Sequence, residues 1–159
     1  MATEAQYQFF KGLYDAEQAR YRELIDRGKL FLSIITIYLG LLSVAADKTI
    51  PKLDSSLFAK SAYVVSVMFI IIAMALVVLA VGIFKYEYPS DPQRIIESFK
   101  DVPPTDDDFR DERIIDFTVA TKRNFSQNEM RARLLRLSSF MLLLGALGQA
   151  IFFIRIAAY

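Results

Sequence analysis

A chain of 159 residues is one domain's worth of length, and its 19 basic and 18 acidic residues leave a net charge of +1, which gives no argument for a nucleic-acid partner. Cysteine and histidine are both absent, which excludes disulfide scaffolds, thiolate or imidazole metal centres and histidine acid–base catalysis. The apolar residues are gathered into three blocks, 30–46, 62–84 and 137–154, that contain no Asp, Glu, Lys or Arg. That segregation predicts an all-α membrane protein with three transmembrane helices and cytoplasmic amphipathic helices. The first block is near the lower length limit for a span, and a buried soluble helix is the alternative reading of it.

The expected segments are a cytoplasmic amphipathic helix over 1–29, a transmembrane hairpin over 30–84 with spans 30–46 and 62–84, a cytoplasmic helical region over 85–136, and a third span with a short external end over 137–159. Residues 1–29 are polar and mixed in charge, so no removable signal peptide is expected. Lys and Arg number five in 1–29 and ten in 85–136, against three between the first two spans and one, Arg155, at the end. Fifteen against four predicts a cytoplasmic N-terminus and an external C-terminus.

Thr3 followed by Gln6 fits a capping box, so a helix is expected to start near Glu4. Phe10, Leu13, Tyr14, Tyr21, Leu24 and Ile25 follow at helical spacing and predict an apolar stripe. Gly28 costs helicity, but the helix is able to continue into the first span. There Ser33, Thr36, Gly40 and Ser43 share one face. In lipid such a face is either a seam for close helix packing or a wall of a water-filled path. Pro51 interrupts the helix within an external connection over 47–61. The second span carries no evident chemistry.

Pro89 ends the hairpin, and Ser90, Asp91, Pro92 and Gln93 offer a second capping-box start for a short helix bearing Ile95, Ile96 and Phe99. Residues 102–105 (Val-Pro-Pro-Thr) must break it. Asp106, Asp107 and Asp108 read as the acidic first turn of a helix capped by Thr105; the alternative, a cation site, lacks EF-hand spacing. Between Lys122 and Arg136 five basic residues face one acid, Glu129, a local charge of +4. Anchoring of the third span accounts for Arg131, Arg133 and Arg136. It accounts less well for Lys122 and Arg123, so Lys122, Arg123, Asn124, Asn128, Arg131 and Arg133 are candidate ligands for an anion such as a nucleotide, oligonucleotide or lipid head group. In the third span Gln149 needs a polar partner from another helix, a second copy or water, and joins Ser33, Thr36, Gly40 and Ser43 as a pore-lining candidate.

The run Tyr14-Asp-Ala-Glu-Gln-Ala-Arg-Tyr-Arg-Glu-Leu, continuing through Arg27-Gly-Lys into Phe31-Leu-Ser-Ile-Ile-Thr-Ile-Tyr-Leu-Gly, resembles the small membrane effectors of bacterial anti-phage systems. Asn124-Phe-Ser-Gln-Asn128-Glu-Met-Arg-Ala-Arg-Leu-Leu ahead of the last span extends that likeness to the SLATT group and to the channel effector of the Hailong system. The resemblance implies a homo-oligomeric pore in the bacterial inner membrane, controlled by a cyclic nucleotide or oligonucleotide from a partner nucleotidyltransferase, whose opening depolarises the cell. The residues themselves leave a second reading open, a non-conducting membrane-anchored interaction or scaffold protein. No Gly-rich phosphate loop or nucleophile motif is present, so neither an enzyme nor a cofactor is expected.

Overall fold

The structure, a computed structural model, describes residues 3–49, 57–82, 85–99 and 105–157. Every regular element among them is a helix: α1 (Glu4–Thr49), α2 (Leu57–Gly82), α3 (Pro92–Ser98) and α4 (Asp106–Ala157). Three helices are long and apolar enough to cross a membrane, as the charge-free blocks predict. Pro51, the break over 102–104 and the last two residues of the predicted second span lie outside the described residues.

α1 starts at the predicted cap. Gln6 N–H donates to Thr3 Oγ1 at 3.2 Å and Gln6 Oε1 accepts from Thr3 N–H at 2.8 Å, so each satisfies the other's orphan group. The helix passes through Gly28 without interruption and extends through Asp47 to Thr49, farther than the expected connection allowed. α2 likewise starts at Leu57, ahead of its apolar block. The cap of α3 differs from expectation: Asp91, not Ser90, is the N-cap, and its carboxylate accepts from Gln93 N–H. Ser90 is drawn instead to Asp116, which accepts from its N–H at 3.2 Å and its hydroxyl at 3.3 Å, while Arg113 donates to its carbonyl at 2.6 Å.

Thr105 caps α4 as predicted. Its hydroxyl accepts from Asp108 N–H at 3.3 Å, and the Asp108 carboxylate accepts from both the hydroxyl and the N–H of Thr105. Among the described residues no acidic cluster forms a metal site. The hydrogen bonds from Thr105 hold the Asp108 carboxyl below its usual pKa. Asp108 therefore supports the helix start fully above the unfolded carboxyl pKa of about 3.9 and loses that effect as pH falls through the lower folded value. Amide protection factors at Asp108 and Phe109 are expected to fall on acidification through that window, and to be lowered in D108N at neutral pH.

The chain forms two units, one of residues 1–24 and 84–130, the other of 25–83 and 131–159. They join the first expected segment with the third and the second with the fourth. In the first unit, Tyr14, Tyr86, Phe117 and Ala120 are buried, with Tyr7, Phe10 and Tyr21 packed against them. The rings meet tilted, Tyr21 with Tyr86 at 4.7 Å and Tyr14 with Phe117 at 5.5 Å, geometries that aromatic quadrupoles favour. Burial pushes the Tyr86 hydroxyl pKa well up. A folded pKa above the unfolded value of about 10 means stability is complete below pH 10 and is lost as pH rises further. Alkaline unfolding of this unit is expected, with Y86F shifting its onset upward in a tyrosinate absorbance titration. Not every residue of the predicted stripe is inside: Leu13 is 42% exposed.

The second unit is a three-helix seam built on close approaches. α2 buries Ser66, Ile70, Ala73, Val77 and Ala80, spaced four, three, four and three. That 3.5-residue period is the pattern that keeps one stripe facing its neighbours. Opposite it, a Cβ added to Gly145 would meet Ile70 Cγ1 at 2.6 Å, and one on Gly148 would meet Ser66 Oγ at 2.1 Å. Gly28 of α1 is equally tight against Val81. Bare glycine backbones thus let helices approach where lipid supplies no hydrophobic drive. Ser138 donates to Ala73 O at 2.9 Å and adds a buried hydrogen bond to the α2–α4 contact.

Candidate functional site

The five pore-lining candidates separate into two environments. On α1, Ile35 and Leu42 are buried inside the chain. Ser33, Thr36, Gly40 and Ser43 lie on another face and are all exposed. A Cβ on Gly40 would meet nothing within 4 Å, so among the described residues none fills this face there. Ser33 donates to Lys29 O at 3.1 Å and Thr36 to Leu32 O at 2.8 Å. Both donors are therefore satisfied within the helix, while the hydroxyl oxygens keep acceptor lone pairs. A third stripe of α1, with Leu30, Ile37, Leu41 and Val44 each at least 59% exposed, is bulky and apolar, a surface suited to lipid.

Gln149 does not join this polar row. It is 1% exposed, and its amide donates across the α2–α4 contact to Tyr63 O at 3.5 Å. A buried amide in an apolar helix pair is costly without a partner, and α2 supplies one. Within the chain, Gln149 is a packing contact and not part of the exposed face.

The six anion-binding candidates also divide. Asn124 and Asn128 are 0% exposed and Arg131 is 1% exposed. The Asn124 side chain accepts from Glu87 N–H at 2.9 Å and donates to Glu87 O at 2.8 Å, pairing with that backbone as a strand would. Asn128 donates to the Glu17 carboxylate at 2.9 Å and to Glu17 O at 3.2 Å. Their amides are occupied by the protein. Lys122, Arg123 and Arg133 are exposed, but Arg123 is paired with Glu87. Helical spacing puts Lys122 and Arg133 opposite the Asn124 and Asn128 side of α4, so the six do not converge on one ligand. Asn124 and Asn128 stand out in the sequence as polar residues beside a basic cluster, and packing shows them bonded in the interior of a polar helix pair.

Arg20 was not anticipated. Its guanidinium bridges Glu129 and Glu17, the latter at 3.6 Å, and lies 5.6 Å from the Phe125 ring centroid. The hydrogen bond it donates to Glu129 raises its pKa further, so it remains charged throughout. The i,i+3 relation of Glu17 and Arg20 in the sequence hinted at the local pair, but nothing signalled the reach to Glu129.

The architecture defines a helical protein with three membrane-length helices and a charged helical unit. No family model, no curated protein and no solved structure matches the chain.

Proposed function

We propose that the protein is an oligomeric membrane pore, with the Ser33, Thr36, Gly40 and Ser43 face of α1 bordering a water path. One observation carries the reading: this row is exposed, open at Gly40 and distinct from both the buried seam and the bulky apolar stripe. The Ser33 and Thr36 hydroxyl oxygens, with their protons already committed, gain nothing from lipid, while water or a permeating cation is able to use the acceptors. The charged unit is then the sensor. Arg123 is an exposed basic group of that unit that an anionic nucleotide would meet. Opening would depolarise the cell, the defensive role that the resemblance to anti-phage effectors implies.

Purified protein in planar bilayers is the test. Wild type is expected to conduct, T36L/G40L to conduct at least tenfold less, and the lipid-stripe variant L41A to conduct normally. Failure to conduct under any nucleotide condition refutes the reading. If nucleotide controls the pore, R123Q is expected to lose the response and keep the conductance.

The second reading, a non-conducting interaction platform, is favoured by the same back-bonded hydroxyls: a face with satisfied donors also suits dry packing of two helices. Equal conductance backgrounds for wild type and empty bilayers would select it.

A further inference from the structure

The charged unit carries an unpartnered surface on each of its two long helices. On α1, Ala5, Phe9, Gly12 and Ala16 follow one another at spacings of four, three and four, all exposed, with Phe9 at 62% and Gly12 meeting nothing within 4 Å of an added Cβ. On α4, Ile115, Val119, Lys122 and Ser126 repeat the same spacing, with Ile115 56% and Val119 43% exposed. Both rows are heptad seams, and each lies on the side of its helix away from the buried contacts. Large apolar side chains exposed in line on a charged unit mark an interaction surface.

The two rows match each other in register. Each α4 position is its α1 counterpart plus 110. Within the unit the two helices run parallel, since Tyr7 meets Phe117 while Glu17 meets Asn128 and Arg20 meets Glu129, pairs 111 and 109 positions apart in the last two cases. Copies inserted alike in one bilayer keep that level, so α1 of one copy set beside α4 of another brings Phe9 to Val119, Gly12 to Lys122 and Ala16 to Ser126. Size and charge then complement. Small residues on α1 leave room for the longer α4 side chains. Asp15, exposed and without an ion-pair partner among the described residues, stands one turn from Gly12 within reach of Lys122, which is likewise exposed and unpaired there.

We propose that a second copy of this chain docks head to tail on this surface, the outer face of α1 of one copy against the outer face of α4 of the next. The inference rests on the oligomeric-pore reading and supplies its subunit contact. Such a heterologous contact uses two different faces, so it continues from copy to copy and closes as a ring when the rotation permits.

The cysteine-free chain makes the test direct. A16C/S126C in native membranes is expected, after mild oxidation, to give a ladder of disulfide-linked species beyond the dimer, because the pairing brings the two positions within bridging distance. Each single variant is expected to stay monomeric. Adding K122D is expected to cut the ladder at least fivefold, and D15K together with K122D to restore it. Dimers from A16C alone, with nothing larger from the pair, would show α1 against α1 and overturn the proposal, as would an absent ladder or one indifferent to the charge exchange. A ladder without conductance in planar bilayers refutes the pore and leaves the contact standing. Conductance without a ladder does the reverse.

Discussion

Replacing Asn124 with alanine is expected to release residues 85–88 from α4 and to lower the stability of the charged unit by several kcal/mol. The side chain satisfies both backbone groups of Glu87, and each polar group stranded in a buried place costs about 1–3 kcal/mol. The loss spreads because Tyr86 and Tyr88 flank that anchor, and Tyr86 packs on Tyr14 and Tyr21. N124D adds a second measure: the carboxylate still accepts from Glu87 N–H but sets an oxygen and a buried charge against Glu87 O, so it should be no more stable than alanine. Thermal unfolding in detergent, read by near-ultraviolet tyrosine signal, measures both. Wild-type stability in N124A would mean that the anchor carries no weight. Because Asn124 is fully buried, a nucleotide should neither protect against this loss nor bind it less tightly in N124D.

The second large effect is expected from Gly145 and Gly148. An added Cβ at Gly145 meets Ser66 O at 3.0 Å as well as Ile70 Cγ1, and backbone in a helix does not step aside cheaply. G145V/G148V should therefore force α2 and α4 apart. Overpacking costs roughly 1–3 kcal/mol per site, and separation also breaks the Ser138–Ala73 and Gln149–Tyr63 hydrogen bonds. Gly82 is the contrast, because a Cβ there meets nothing within 4 Å, and G82A should be close to neutral. The comparison is made by melting temperature in detergent and by protease resistance of the membrane-inserted protein. Equal tolerance of both substitutions would contradict the close approach.

Lys122 and Arg123 illustrate how adjacent residues acquire different surroundings. One helical step of about 100° separates them, so Arg123 reaches Glu87 while Lys122 stays unpaired among the described residues. Their shared positive charge was plain in the sequence, but the partner of one lies 36 positions away. The same holds for Gln149. Its polarity inside an apolar run called for a partner; only packing identified Tyr63 O rather than water.

The sequence alone determined what depends on composition and local geometry. Uncharged runs of membrane length fixed three apolar helices, because backbone groups in lipid must be bonded within a segment. Thr3 with Gln6 and Thr105 with Asp108 fixed two helix starts, because a cap acts over three residues. Tertiary structure decided which polar side chains were inside. Asn124, Asn128 and Gln149 sit on the inner stripe of α4, where a neighbouring backbone or carboxylate accepts from their amide N–H groups, whereas Ser33, Thr36, Gly40 and Ser43 remain outside. A helical repeat assigns residues to a stripe, but the stripe's function depends on what another helix brings to it, and that meeting is set by packing across long separations in the chain.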